Sequence, residues 1–495
     1  MGDDPDSLQD SLQRGLWPLI DDLLGSRATA GLAIAVVRGD EVVTRGLGVR
    51  DRRTGAPVTP ETMFHLASVS KPFVATALVS LIHSSGPEEH GFALDTPIRT
   101  WVPEFTLADG RADEVTARGL LSHTSGLPDV SDYGWHAPNV RDDALAEFAR
   151  SLSHRQLVSD PGSAFSYSNA GYELLGLVLA RLTGTTFEDA VRRQLLQPLG
   201  MHASTFLRAE VPPHLAAAPH VGMPLVVPEG SYPYTRCHAP SSSLHSNLVE
   251  LCRWMQAHFS STPDTGAQPP RLSPSVRDLV WRPVFPVGDP PWEEAMALGW
   301  CVGRYRGHRT LSHSGADPGF GARLVLVPEQ RTGVVVLANS NTMPTWSIAA
   351  AALDIVLPGP GEASNPGDGV AVLRAALPPL VGPVAQAAAT SGPDAAIALA
   401  HDLAALDPVE FDTDDEEFVK AVWGAIELHR TDLVWPLLRV WTGARPGSAP
   451  AWTMTGWAYQ VDGQVAQARS ALQRALDVDP THEEAARLLR DLADG

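Results

Sequence analysis

Strand-like sequence at both ends of a long helical stretch constrains the fold of this chain more than any other feature. Five apolar segments are typical of strands: residues 31–37, 42–49, 298–305, 322–327 and 334–338. The first two flank Gly39-Asp40, a dipeptide suited to a tight hairpin, and the sequence between the second and third is mostly helical. We therefore expect the early hairpin and the late strands to meet in one antiparallel sheet flanked by helices, an α+β fold.

A change of composition divides the chain into two parts. Residues 358–369 hold four glycines and three prolines without periodicity, which predicts a linker between domains 1–357 and 370–495. A length of 495 residues is enough for two or more domains. The sequence from Trp452 resembles a tetratricopeptide repeat, and a degenerate copy begins at Phe418. We therefore predict an all-α, tetratricopeptide-like C-terminal domain.

The overall charge excludes some classes of partner. A formal net charge of -20 argues against nucleic acid and against anionic membrane surfaces, which both attract clustered cations. The acidic N-terminus lacks the features of an export signal, so we expect a cytoplasmic protein. The three cysteines, Cys237, Cys252 and Cys301, are scattered and form no metal-type pair, and we expect neither a metal nor another cofactor.

Lysine is almost absent from the chain. Of the 37 lysines and arginines only Lys71 and Lys420 are lysines, so arginine supplies nearly every cation. A lysine kept against this bias suits a site that needs an amine able to lose its proton, which a guanidinium does not do. Chance survival is the alternative interpretation.

Ser68 and Lys71 form the motif S-x-x-K ahead of an apolar helical run from Phe73 to Ile82. Residues three apart lie on one face of a helix, so the Ser68 hydroxyl and the Lys71 amine come within hydrogen-bond reach. A desolvated lysine can take the proton of a serine hydroxyl and so make it a nucleophile. Taken alone, the motif has an ordinary alternative, a helix-capping serine beside a solvated lysine.

Two further motifs follow the first one along the chain. A Y-x-N triplet runs from Tyr167 to Asn169, just before a predicted helix. An H-S-G triplet, formed by His313, Ser314 and Gly315, precedes the last two strand-like segments. Each triplet alone is typical of a turn or loop, but their order after S-x-x-K points to a shared site.

In this order the three motifs resemble the S-x-x-K, Y-x-N and K-T-G elements of the serine β-lactamase and penicillin-binding-protein superfamily. The segments LLSHTSGLP (120–128) and SGADPGFG (314–321) are similar to its class C-like branch, which includes esterases, D-aminopeptidases and transacylases. The resemblance covers roughly residues 10–357. It implies the β-lactamase/transpeptidase fold, an antiparallel sheet flanked by helices with an all-helical subdomain, and a serine hydrolase or acyltransferase acting on an ester or amide.

The resemblance also implies a role for each motif residue. Ser68 is acylated and Lys71 accepts its proton. Tyr167 completes the acid–base pair, since a phenol near a cation loses its proton more easily. Asn169 positions Lys71 or the substrate amide, and the backbone N–H groups of Ser68 and Ala316 form the oxyanion hole.

The third motif departs from K-T-G because His313 occupies the lysine position. With Ser314 and Gly315 it is expected to bind substrate, but a histidine is mostly neutral near pH 7. Esters, amides or acyl carriers are therefore more plausible substrates than β-lactams, which carry a carboxylate. A second interpretation is a non-catalytic ligand-sensing or scaffold protein whose C-terminal helices bind a partner protein.

Overall fold

A nine-stranded antiparallel sheet is the framework of the fold. The computed structural model describes residues 7–27, 29–90, 92–130, 132–259, 272–289, 292–358 and 369–494. Its strands are β1 (Gly31–Arg38), β2 (Glu41–Asp51), β3 (Ala56–Pro57), β4 (Phe64–His65), β5 (His245–Ser246), β6 (Phe285–Asp289), β7 (Glu293–Met296), β8 (Cys301–Tyr305), β9 (His308–Asp317), β10 (Phe320–Val327) and β11 (Thr332–Ala338). The order across the sheet is β3-β2-β1-β11-β10-β9-β8-β7-β6, and β4 pairs separately with β5. The early hairpin β1–β2 therefore joins the late strands through β11, as predicted.

The α-helices make up a large part of the remaining chain. They are α1 (Leu8–Gly15), α2 (Trp17–Ser26), α3 (Ser70–His90), α4 (Ala117–Leu121), α5 (Ala144–Ser151), α6 (Asn169–Thr183), α7 (Phe187–Val191), α8 (Ala239–Ser242), α9 (Leu248–Phe259), α10 (Pro274–Val280), α11 (Thr345–Val356), α12 (Gly369–Ala375), α13 (Val381–Ser391), α14 (Pro393–Ala404), α15 (Asp415–Glu427), α16 (Trp435–Ala444), α17 (Ala449–Val461), α18 (Val465–Val478) and α19 (Glu483–Asp494). Among the described residues, no helix combines the length and the hydropathy needed to cross a bilayer.

Both faces of the sheet are buried, which explains the unbroken apolar sequence of β1. Successive side chains of a strand point to opposite faces. One set joins the large core shared with α3, α6 and α9: Ala33, Ala35 and Val37. The other set joins a smaller core with α1, α2 and α11: Leu32, Ile34 and Val36. The sheet is thus the middle layer between two groups of helices, and the larger group carries the Ser68 region.

The C-terminal helices share a third core with the sheet-containing part of the chain. Phe418 of α15 and Trp441 of α16 belong to this core, together with Trp135, Val221 and Met223 from the N-terminal part. The helical region therefore packs against the rest of the protein. Its likeness to tetratricopeptide repeats stays a prediction, and the predicted linker lies almost entirely outside the described residues.

Four strands of the main sheet were not predicted from the sequence, and one of them is the two-residue edge strand β3. Strands β6 and β7 lie where the helical stretch was expected to end, and β9 contains the H-S-G motif, which was expected ahead of the strands. The predicted strand 298–305 begins only at Cys301. In β9, Leu311 and Ala316 are the only apolar side chains among histidine, serine, threonine and charged residues, so the strand lacks an apolar run although much of it is buried.

Candidate active site

Ser68 lies in a short 3₁₀ turn, Ala67–Val69, that leads directly into α3. The preceding residue, Ala67, has φ +48°, a backbone conformation that costs a non-glycine residue about 1–3 kcal/mol and is concentrated at functional sites. The Nζ atom of Lys71 lies 3.0 Å from Ser68 Oγ. The structure thus brings the two residues of the S-x-x-K motif together as the helical spacing predicts.

Lys71 is completely buried and held by oxygen atoms. Its Nζ donates to Ser68 Oγ, to Asn169 Oδ1 at 2.5 Å and to the backbone carbonyl of Ser241 at 2.9 Å. Burial lowers the pKa of Lys71 to about 8, against the opposing influence of nearby carboxylates, of which Glu173 is the strongest. Removal from water disfavours the charged ammonium, so this amine is poised to exchange a proton near neutral pH.

Asn169 is fixed by residues that were not predicted from the sequence. The carboxylate of Asp129 accepts hydrogen bonds from the backbone N–H of Asn169 and from its Nδ2, both at 2.8 Å. It thereby also caps α6, since a carboxylate at a helix N-terminus satisfies free N–H groups. Asn169 Nδ2 also donates to the Tyr133 hydroxyl. Because Asn169 Nδ2 donates its two hydrogens to Asp129 and Tyr133, the amide is oriented with its Oδ1 toward Lys71.

Tyr167 stands on the open side of Ser68. Its ring lies with its centroid 4.9 Å from Lys71 Nζ, and the residue keeps 37% of its surface exposed. The role of Tyr167 in the acid–base pair stays a prediction. Burial of the hydroxyl raises the pKa of Tyr167 well above 10, although a hydrogen bond with Ser68 lowers it in part. Tyr167 is therefore protonated at rest, and its ring lies against the amine of Lys71.

His123, in the LLSHTSGLP segment, holds in place the irregular segment that carries Tyr167. Its Nδ1 accepts the backbone N–H of Ser168 at 3.1 Å, and its carbonyl accepts that of Ser166 at 2.8 Å. Its ring stacks on Tyr167 with centroids 4.2 Å apart. A positive φ of +56° lets the loop make all three contacts. His123 is thus a positioning residue for the segment that carries Tyr167.

The H-S-G motif lies in β9, directly beside Ser68. A β-carbon on Gly315 would sit 2.4 Å from the Leu66 carbonyl oxygen and 3.0 Å from Ser68 N, so only glycine allows this approach. Ala316 is exposed and pairs with Gly321 of β10. The register brings the residue after the motif to the open side of the sheet, beside the turn that carries Ser68.

His313 is buried, with 3% of its surface exposed. Burial, and secondarily the charge of Lys71, lowers its pKa to about 3, so the imidazole is neutral near neutral pH. Its Nδ1 donates to the Ser314 carbonyl at 2.6 Å. The position that holds a lysine in K-T-G therefore carries no positive charge here.

Ser68 opens onto a cleft of about 1060 Å³. One wall consists of the motif residues already described. The other walls come from the start of α11 with the segment before it, and from α12 and α15. Their apolar side chains include Met343, Trp346, Leu373, Val419 and Trp423. A cavity of this size that combines apolar side chains with a smaller number of polar groups is typical of a small-molecule site.

A group of possible metal ligands lies apart from Ser68 among the residues that the structure describes. Asp132, His136 and His429 each offer one ligand atom within 4.8 Å of the others. The imidazoles of His136 and His429 stack at 3.8 Å. These residues do not line the cleft onto which Ser68 opens.

Comparison with known proteins places the chain in a family. The sequence profile described as Beta-lactamase matches residues 18–357, well over half of the chain. This chain belongs to the Beta-lactamase family. The match ends at residue 357, so the C-terminal helices lie outside the part that carries the family likeness.

Two curated relatives indicate how far the family likeness extends. Esterase EstB of Burkholderia gladioli is 37% identical over 231 residues, which are 43% of this chain and 56% of the esterase. The unguisins hydrolase ungD′ of Aspergillus campestris is 28% identical over 340 residues, 65% of this chain and 60% of the hydrolase. The chain thus spans little more than half the length of either relative.

Solved structures with the same fold include an octameric penicillin-binding protein homologue from Pyrococcus abyssi. It superposes with a TM-score of 0.58 at 23% sequence identity, covering 72% of this chain and 78% of its own. Identity at that level establishes the fold alone. The β-lactamase/transpeptidase fold implied by the sequence motifs is therefore confirmed.

Proposed function

We propose that this protein is a serine hydrolase or acyltransferase that cleaves a small-molecule ester or amide through an acyl-enzyme on Ser68. The observation that carries the proposal is the buried Lys71 amine, 3.0 Å from Ser68 Oγ, with a pKa lowered to about 8. Near neutral pH part of this amine is unprotonated and able to accept the Ser68 proton.

Acylation uses the motif residues in fixed roles. Ser68 Oγ bonds to the substrate carbonyl carbon while its proton passes to Lys71, and the carbonyl oxygen becomes an oxyanion. The backbone N–H groups of Ser68 and Ala316 stabilise this oxyanion. Collapse of the intermediate breaks the bond to the leaving oxygen or nitrogen, which takes up the proton from Lys71. The neutral Tyr167 hydroxyl, hydrogen-bonded with Ser68, relays this proton.

Deacylation reverses the sequence with a second nucleophile. Water, or an acceptor amine or alcohol, attacks the acyl carbon while Lys71 takes its proton, and Ser68 recovers a proton as it leaves. With water the product is a carboxylic acid; with an acceptor it is a new ester or amide. The names of the relatives, an esterase and a hydrolase, support the hydrolytic reaction.

The neutral His313 favours substrates without a carboxylate beside the scissile bond. Because no lysine stands at this position, the site lacks the cation that would attract a β-lactam carboxylate. We therefore propose that simple esters or amides are turned over more efficiently than penicillins.

Three further sequence predictions belong to this proposal. Residues 1–357 form the catalytic domain and residues 370–495 a helical domain, a division supported by the end of the family match at residue 357. The charge of -20 supports a protein without membrane or nucleic-acid partners, and the acidic N-terminus is the basis for proposing a cytoplasmic address. A protein partner for the C-terminal helices is the least supported of the three.

Turnover of 4-nitrophenyl acetate by the purified full-length chain tests the proposal. Ser68→Ala should abolish enzymatic turnover. Ser70→Ala is the matched control, because Ser70 is buried two residues away and accepts the backbone N–H of Leu244 at 2.9 Å. It should keep turnover at some cost in thermal stability. Equal turnover by wild type and Ser68→Ala would overturn the proposal and favour the scaffold interpretation.

A further inference from the structure

One face of α15 forms a wall of the cleft onto which Ser68 opens. Glu416, Val419, Lys420 and Trp423 all line this cleft. Their spacing of three, four and seven residues places them on a single face of the helix. The opposite face, which includes Phe418, is buried in the core of the C-terminal helices. The helix therefore separates that core from the cleft.

The sequence of α15 explains why a helix forms at this place. Asp414 caps it, with a side-chain carboxylate that accepts the backbone N–H of Glu416 at 3.0 Å. Acidic residues fill the first turn, where they interact favourably with the positive end of the helix dipole. The wall is thus a helix with its own start signal and not an irregular loop.

Two contacts fix α15 against the sheet-containing part. Arg27 and Glu417 form an ion pair at 2.8 Å, and both side chains are less than one-tenth exposed. At Gly424 a β-carbon would lie 3.1 Å from Asn341 Oδ1 and 3.3 Å from the Pro318 α-carbon. Such close approach of helix and chain leaves little room for movement.

The second contact connects α15 to the Ser68 region. Asn341 holds the β9–β10 turn, because its Oδ1 accepts the N–H of Gly319 at 2.7 Å and its Nδ2 donates to the carbonyl oxygens of Asp317 and Phe320. This turn begins one residue after Ala316. The position of α15 is therefore fixed relative to β9, the strand that passes beside Ser68.

The charged groups of the wall bind one another. Lys420 Nζ lies 2.8 Å from Glu416 and 3.2 Å from Glu417, which also binds Arg27. The chemistry left for a ligand on this face is apolar: Val419 and Trp423. Apolar side chains also line the facing side, among them Met343 and Trp346.

We propose that the α15 wall binds a bulky apolar group of the substrate, with Trp423 as its principal contact. The inference rests on the proposed acyl-enzyme function, since it names the class of ester or amide that this site prefers. Aromatic side chains supply large apolar contact areas in such sites. The C-terminal helices thus act as a specificity element of the active site.

The ratio of kcat/KM for 4-nitrophenyl octanoate to that for the acetate measures this preference. Wild-type protein should favour the octanoate. Trp423→Ala should lower the ratio about tenfold, since a few lost methylene contacts have effects of this size. Trp423→Phe should retain most of it. Trp457→Ala is the matched control, because Trp457 lies on α17 beside a separate cavity, and its ratio should equal that of the wild type.

A second series locates the apolar group relative to the scissile bond. Acetate esters of ethanol, phenol and naphthol enlarge the leaving side instead of the acyl side. A response to Trp423→Ala in this series and not in the acyl series would place the group on the leaving side. A ratio unchanged by Trp423→Ala in both series would overturn the inference.

A binding measurement separates this inference from the reaction itself. Ser68→Ala protein, titrated calorimetrically with 4-nitrophenyl octanoate and acetate, should bind the octanoate more tightly, and Trp423→Ala in that background should remove the difference. Equal affinities would overturn the inference even if esters are turned over. Selective binding without turnover in the Ser68-containing protein would instead overturn the proposed function.

Discussion

The two principal walls of the cleft are built in opposite ways. On the Ser68 side, Lys71 and Asn169 are buried, and specific hydrogen-bond partners hold the Lys71 amine and the Asn169 amide. On the α15 side, Val419 and Trp423 are only half-buried and present apolar surface between charges that neutralise one another. The first wall suits a reaction that needs fixed geometry. The α15 wall suits binding of an apolar substrate group by shape and contact area, and such binding tolerates substitutions in the wall.

The walls also differ in their relation to the family. The first lies within the Beta-lactamase match at residues 18–357, whereas α15 lies beyond it. Membership of the family thus bears on the reaction at Ser68. The choice of substrate, as we propose it, depends on α15, which the family profile does not cover. Mutations in the two walls should have different consequences: loss of the reaction in one, and a change of selectivity in the other.

The largest effect is expected at Lys71. Replacement by alanine removes the base and should lower kcat/KM for 4-nitrophenyl acetate about a thousandfold. Lys71→Arg should be equally inactive, because a guanidinium keeps its charge and cannot take the proton. Stopped assays beside thermal melts check this, and Lys71→Arg with substantial activity would contradict the assignment of the base.

A smaller loss is expected at Gly315. The β-carbon of Gly315→Ala meets the Leu66 carbonyl and Ser68 N, so β9 must move away from the nucleophile. We expect kcat/KM to fall about a hundredfold, the effect of losing an oxyanion donor. Gly321→Ala in β10 is the comparison, since the nearest atom to its β-carbon is 3.6 Å away. Equal losses in the two variants would mean that the close approach to Ser68 is unimportant.

A moderate effect with a defined pH signature is expected at Asp129. Asp129→Asn weakens the two hydrogen bonds that fix Asn169 and should lower kcat/KM about tenfold. The charge of Asp129 raises the pKa of Lys71, so its removal should also move the midpoint of the pH profile below about 8. Asp132→Asn, on the same loop, should change neither quantity. A midpoint moved upward would contradict the electrostatic role.

The smallest effect on turnover is expected at Arg27. Arg27→Ala leaves the buried Glu417 without its nearest partner and should loosen α15, because broken buried pairs cost about 3 kcal/mol. Hydrogen exchange in α15 should rise and the octanoate preference should fall a few-fold, while acetate turnover stays close to wild type. Arg99→Ala, which breaks an exposed pair with Asp113, should do neither. Unchanged exchange in α15 would show that other contacts hold the wall.

Local spacing accounts for the part of the site that could be predicted. Ser68 and Lys71 are one helical turn apart, so their contact follows from the sequence alone. Asp129 and Tyr133 reach Asn169 from about 40 residues away along the chain, and no local pattern records such a contact. The early hairpin and the strands β10 and β11 had apolar patterns, whereas polar β9 did not.

The position of α15 beside the cleft could not be predicted from the sequence, for a different reason. Its helical pattern is clear, but its position depends on the packing of two regions and on single contacts such as Gly424 against Asn341. The rarity of lysine is the one sequence feature that sets Lys420 apart, and the structure places Lys420 in the same cleft as Ser68. One of the two lysines lies in each wall of the cleft, but nothing in the sequence predicts the contacts that hold the two walls together.

The pH dependence of Ser68 labelling tests the central claim most directly. A fluorophosphonate would be reacted with the full-length protein from about pH 6 to about pH 10, and labelling followed by intact and peptide mass spectrometry. We predict modification of Ser68 at a rate that rises with pH, passes its midpoint near 8 and then levels off, as the unprotonated amine of Lys71 accumulates. Labelling elsewhere, or a rate that is flat across this range, would contradict the account.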